Sequence, residues 1–343
     1  MKNKKVSFNI TSSDFPRLLC VTLIIFTIMA LMRPNLFLRS ATFVSMGYQL
    51  PELGLYSLAM MMVFTSGGID LSIVSIGNLV AIAAALIMRT AMANELTGPS
   101  LFGILVLSVV AGLAIGFLCG IINGSVVSFL NIPPMLTTMA TSLIFTGITL
   151  VITKGESVSK IPPQYLYFGN NLFLGIPIPL WLLILAFIFT AFLLNRTKFG
   201  FELKFVGSNY LASHYSGINT KLVLIKAYLY SGLTCAVCGL LILARTDSAR
   251  ADYAFTYTFQ AILAAMLGAT NPDGGSAKIS CMALSLISLQ LLSSGFNLLR
   301  LGGFFKEFTW GLLLILVMAA DFLLQHYREK KSINTMLKER SRA

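Results

Sequence analysis

The chain has 343 residues, of which 56% are hydrophobic and only 11% charged, and its mean hydropathy is +0.82. Soluble domains run nearer about a quarter charged, so this chain cannot cover itself with polar surface in water, and its solvent is lipid. The net charge of +12 does not make it a nucleic-acid binder: Lys and Arg sit at the ends of apolar runs and in short connections, not on a basic face interleaved with aromatics, and read as topology signals and contacts to membrane lipid.

A bilayer core takes about 20 apolar residues per helix. Such runs fall, in chain order, at 17–32, 43–65, 71–93, 101–129, 134–153, 174–195, 222–244, 255–268, 279–298 and 308–325. They predict an all-α polytopic membrane protein with about ten transmembrane helices in one domain, 17–325, between an N-terminal segment, 1–16, and a tail, 326–343. The opening MKNKKVSFNITSSDFPR is polar, and no small-residue cleavage site follows the first run, so no cleavable signal peptide is expected.

The run at 101–129 repeats Gly112, Gly116 and Gly120, a small-residue face for close helix contact. The run at 255–268 is too short to cross alone and predicts an extension toward Asp252 or an interrupted helix. MVFTSGGIDLSIVS and AAMLGATNPDGGSAKIS each join two apolar runs through a Gly-rich turn carrying one Asp, a faint internal echo. The five cysteines all lie in apolar runs, and Cys235-Ala-Val-Cys238 reads as small packing residues rather than a metal or redox pair.

Ten spans put both termini on one side. Sixteen of the 25 Lys and Arg residues then fall on that side, including the connection 196–221 and the tail, which predicts cytoplasmic termini. No connection is long enough to be a further domain.

The search for chemistry returns little. GATNPDGGSAKIS fails as a phosphate loop, because Asp273 stands where the second Gly belongs and Ile279 follows Lys278. There is no HExxH, and the only histidines are His214 and His326. No catalytic residue, metal or cofactor is expected on this chain. Ion-driven carriers bury Asp, Glu or His relays within spans, and here only Glu52, Asp70 and Asp321 come near. Asp70 follows Gly67-Gly68 and opens the run LSIVSIGNLV, so it can cap a helix there or touch a solute. Most uncharged polar residues in the runs suit interhelical hydrogen bonding. If a hydrophilic solute crosses, Asp70, Ser72, Asn78, Asn123, Thr137, Thr141 and Asn297 are the candidates to line its path, and such amides and hydroxyls suit a neutral polyhydroxyl solute. The segment GSNYLASHYSGIN, 207–219, predicts a short helix with Ser208 or Asn209 as N-cap and Gly217 as its stop. Leu211, Ala212 and Tyr215 give it an exposed face, for lipid headgroups or for a partner subunit.

TSGGIDLSIVSIGNLVAI, GIINGSVVSFLNIPPMLTTMATSLIFTGITLVITKG, FGFELKFVGSNYLASHYSGIN, AILAAMLGATNPDGGSAK and GFNLLRLGGFFKEFTWGLLLILVMAAD follow one another across roughly 43–322. In order and spacing they resemble the ribose/xylose/galactoside-type permease subunits of bacterial ABC sugar importers. The resemblance implies a multi-pass protein of the bacterial inner membrane that pairs with a second permease subunit. It implies separate ABC ATPase subunits that carry ATP and Mg, and a periplasmic or lipid-anchored solute-binding protein. It also implies an ATPase-coupling helix, here Gly207, Asn209, Leu211, Ala212, Ser213, Tyr215, Gly217, Ile218 and Asn219. Two departures stand out: Asn209-Tyr210 replaces the usual acidic residues, and Gly268-Ala269 the usual Gly-Gly. Nucleosides or another small organic solute as cargo, and a stand-alone gradient-driven carrier, remain as alternatives.

Overall fold

The computed structural model describes residues 14–319 and residue 323. Asp321 and the segments 1–13 and 324–343, which include most of the expected N-terminal segment and all of the tail, lie outside the described residues. In lipid a backbone must satisfy its own polar groups, so the apolar runs become helices. In chain order these are α1 (Asp14–Met32), α2 (Pro34–Phe37), α3 (Ser40–Thr65), α4 (Ile73–Ala93), α5 (Gly98–Phe129) and α6 (Pro134–Thr153). There follow α7 (Pro163–Asn170), α8 (Ile178–Arg196), α9 (Lys198–Ser208), α10 (Tyr210–Tyr215), α11 (Thr220–Thr246), α12 (Tyr257–Leu267) and α13 (Ile279–Leu298). A last helix, α14, covers 303–319. Two small antiparallel ribbons pair β1 (Val158–Ser159) with β4 (Ser248–Ala249) and β2 (Leu172–Phe173) with β3 (Ile176–Pro177).

Seven of the described helices are long and apolar enough to cross a membrane: α1, α4, α5, α6, α8, α11 and α13. The expectation was ten. Gln49, Pro51 and Glu52 dilute the 26 residues of α3, α12 has only 11 residues, and the described part of α14 is 303–319. The short run at 255–268 is an interrupted element: α12 is preceded by turns from 251 to 256 and followed by the loop 268–278.

The centre of the bundle is α11, packed on α5, α3 and α4. Glycines make the α5 contact possible. A Cβ on Gly116 would meet Ala236 Cβ at 2.5 Å, one on Gly120 the Tyr228 carbonyl oxygen at 2.6 Å, and one on Gly112 the Leu240 side chain at 3.1 Å. Close approach multiplies van der Waals contact, which holds helices together where lipid is as apolar as they are. Around this core Tyr56, Met60, Met61, Met62 and Phe64 of α3 are fully buried, while Leu185, Ile188 and Phe189 of α8 face outward as lipid-facing residues do. α9 and α10 mark one end of the bundle; α7 and the two ribbons mark the other.

Candidate solute path and docking helix

The two Gly-rich turns of the internal echo meet at the α10 end of the bundle. Gly275 N donates to Thr65 O at 3.0 Å, and Gly67 lies against the Asp273 carbonyl. Gly207 completes the contact: a Cβ there would sit 2.1 Å from Thr65 O and 2.6 Å from Gly275 N. The turn after α3, the turn before α13 and the end of α9 therefore share one point. A groove of about 400 Å³ opens beside it, lined among others by Gly68, Asn131, Pro134, Asn209, Tyr210 and Asp273.

The short helix α10 hangs directly from that point. Asn209 ends α9 and caps α10, its Oδ1 accepting from Ala212 N at 2.9 Å. Gly217 N donates to His214 O and Ile218 N to Ser213 O, with Gly217 at φ +82°, so the helix stops where a left-handed residue is needed. Asn219 then caps α11 through Leu222 N at 3.1 Å. Ser213 is buried, whereas Leu211, Ala212 and Tyr215 project outward, Tyr215 at 86% exposure. Lys204 of α9 donates to Asn195 Oδ1 at 3.1 Å, and burial lowers the pKa of its ammonium.

Of the candidates for the path, three are joined. Asp70 Oδ1 accepts from Ser72 N at 3.0 Å and Ser72 Oγ at 2.6 Å, its Oδ2 accepts from Ser231 Oγ at 2.7 Å, and Asn123 Nδ2 donates to Ser72 Oγ at 2.8 Å. All four side chains are fully buried. Asp70 thus holds the turn before α4 through the amide two residues on, and ties α11 to it. Ser72 takes the N-cap position, without a side-chain cap. Ser231 is the member that sequence reasoning missed, since one serine in an apolar run carries no signal.

The other candidates are dispersed. Asn78 donates to the carbonyls of Ala251 and Tyr253, both at 2.9 Å. Thr141 Oγ1 donates to Thr138 O at 3.2 Å, within its own helix, and buried Thr137 Oγ1 has no hydrogen-bond partner among the described residues. Asn297 is exposed near the end of α13, accepting from Lys306 Nζ, far from the Asp70 cluster.

The model of the family described as branched-chain amino acid transport system / permease component matches residues 43–320. The chain belongs to this permease family. The permease is similar to the ribose import permease protein RbsC of Bacillus subtilis (strain 168), 31% identical over 300 residues that cover 87% of this chain and 89% of that one. It is similar to the autoinducer 2 import system permease protein LsrD of Salmonella typhimurium, 28% identical over 280 residues, 80% of this chain and 81% of that one. It is also similar to the ribose import permease protein of Escherichia coli, 27% identical over 307 residues, 88% of this chain and 92% of that one. No solved structure was found to match. The permease is a multi-pass protein of the bacterial inner membrane, as these relatives and its apolar helices show.

One internal feature of the permease escaped the sequence reading. Glu52, fully buried in α3, forms an ion pair with Arg245 of α11 and accepts from Tyr257 Oη at 3.3 Å, while Arg245 Nη2 donates to Tyr253 Oη at 3.3 Å. Both charges are visible in the sequence, Glu52 within an apolar run and Arg245 just past another, but nothing local pairs them. The available signal was Glu52 itself: an acid inside an apolar helix requires a base.

Proposed function

We propose that this permease is the membrane-spanning subunit of an ATP-driven importer for a small neutral solute, a monosaccharide, which crosses by alternating access. On this reading two permease subunits frame the path. Separate ABC ATPase subunits bind ATP and Mg at the cytoplasmic end, and a solute-binding protein delivers cargo at the other. The names of the ribose permeases support the sugar cargo and the permease role. The start of α1 and the far end of α14 both lie toward the α10 end, since Thr22 pairs with Ser288, Met29 packs on Gly295, and Phe305 turns back onto Phe296. That arrangement supports termini on the cytoplasmic side with α10.

The observation that carries the proposal is the shared contact of Gly207 with Thr65 and Gly275. A partner that pushes α10 also pushes, through this backbone contact, the turns that end α3 and begin α13. A docking helix so placed converts closure of the ATPases into movement of the bundle. Gly217→Pro tests it, because proline cannot adopt φ +82°. ATP-dependent uptake of labelled ribose and co-purification of the ATPase should disappear while membrane insertion is retained. Normal uptake in that variant would refute the coupling role. Competition by a panel including autoinducer 2 and nucleosides would identify the cargo.

A further inference from the structure

An apolar groove runs between α8 and α11 from the α7 end of the bundle toward its middle. Two chambers form it, of about 260 and about 300 Å³. Ile178, Phe168 and Ala244 line the first, beside α5 and α7; Phe189, Tyr230 and Leu233 line the second. Leu182 and Val237 border both, so the chambers adjoin. From Ile178 to Phe189 α8 advances about 16 Å, and from Ala244 back to Tyr230 α11 covers about 21 Å. The groove therefore reaches well into an apolar core roughly 30 Å thick. Its floor is the one incompletely covered stripe of the central helix: between Ser231 and Ala244 every residue is buried except Leu233 and Val237, which lie one turn apart on the same face.

Chemistry and size narrow what can lie there. Three hydroxyls border the groove, and each is already bonded within the protein. Tyr165 Oη donates to Leu240 O at 2.9 Å, Thr234 Oγ1 donates to Tyr230 O at 2.8 Å, and Tyr230 Oη pairs with Thr190 Oγ1. A hydroxylated solute would lose its hydration there and gain no hydrogen bond in return. A helix of a second subunit, about 10 Å wide, would fill roughly 1,200 Å³ over the same length, well above the two chambers together. A single chain of methylenes fits. Left empty, the groove would forfeit dispersion contacts along both helices. Leu185 and Phe189 on its rim are 62% and 56% exposed, so it opens toward lipid. At its outer end Tyr165 and Phe168 of α7 line the wall, and Trp181 Nε1 donates to Phe173 O at 3.2 Å; such amphipathic rings sit at headgroup level.

We propose that this groove binds one acyl chain of a phospholipid from the leaflet on the α7 side, laid along Leu233 and Val237 with its headgroup level with α7. The bound chain completes the packing of α11 where neither α5 nor α8 covers it. The site stands whatever solute the permease carries.

The test uses the full-length permease with its ATPase in vesicles of phosphatidylethanolamine and phosphatidylglycerol. A phosphatidylethanolamine carrying a photoactivatable diazirine in one acyl chain is included. After irradiation, peptide mass spectrometry should place label on Leu233 or Val237 as well as on Ile188, which is 61% exposed on the outer face of α8. Val237→Phe, which fills the junction of the chambers, should lose the α11 label and keep the label on Ile188. If that variant does not insert, Leu182→Phe narrows the same junction from the α8 side and is read in the same way. Label on Ile188 with none on α11 in the unaltered protein would overturn the proposal. So would α11 label undiminished in the groove-filling variant, since lipid would then reach α11 by another route. Disulfide cross-linking of Val237→Cys between two copies, in a Cys20→Ser background, would place protein in the groove and overturn it as well.

Discussion

A Cβ on Gly207 would lie 2.1 Å from a backbone carbonyl and 2.6 Å from a backbone amide, atoms that cannot swing aside as a side chain could. Gly207→Ala should therefore cost about 1–3 kcal/mol, seen as a lower thermal midpoint in detergent, and should reduce uptake further by prying the turns apart. An unchanged midpoint would show that the contact yields. Ala269 presents the reverse case. It stands where the resemblance leads one to expect glycine and takes φ +55°, a left-handed conformation that costs an L-residue roughly 1–2 kcal/mol. Ala269→Gly should raise stability by about 0.5–1 kcal/mol after glycine's own entropy cost is subtracted; a fall in the midpoint would contradict this. Asp70 was expected as a helix cap or a solute contact; Ser72 takes the N-cap position and Asp70 holds the turn before it, while its bond to Ser231, 161 residues away, was not legible, because no local pattern encodes a partner so distant.

At the level of elements, α5 and α11 meet through a stripe of glycines that was readable in the sequence as small residues four apart. Its partner was not, since every apolar helix offers a face. The contact sorts the glycines of α5 into two kinds. Gly120→Val should sharply lower folded yield, because its branched side chain would fall into the backbone at Tyr228 and Leu229, whereas Gly103→Ala, with nothing within 4 Å, should be neutral. Fluorescence size-exclusion profiles in detergent distinguish the two, and equal profiles would refute the packing argument. The interrupted helix near 255–268 was visible as a run too short to cross. Its upstream half folds as turns at 251–256 that Asn78 holds by two carbonyls, and that contact leaves no trace in composition. Glu52 and Arg245 escaped pairing for the same reason.

For the whole molecule, transport against a gradient needs a source of free energy, and the sequence offers no phosphate loop and few intramembrane acids. Proteoliposomes containing this chain alone should not accumulate ribose under a proton or sodium gradient. Addition of the ATPase, the binding protein and ATP should establish accumulation. Uphill uptake by the single polypeptide would end the importer reading. The sequence by itself determined the solvent, the helical class, the approximate positions of the apolar helices and the caps of α10, because hydropathy, helical spacing and capping act over a few neighbouring residues. Only the tertiary structure decided that the two Gly-rich turns meet at Gly207, that Asp70, Ser72, Asn123 and Ser231 close on one another, and that Glu52 pairs with Arg245. Those facts depend on which helices lie side by side, and contact between segments far apart in the chain is settled by packing of the whole, not by any stretch of residues read alone.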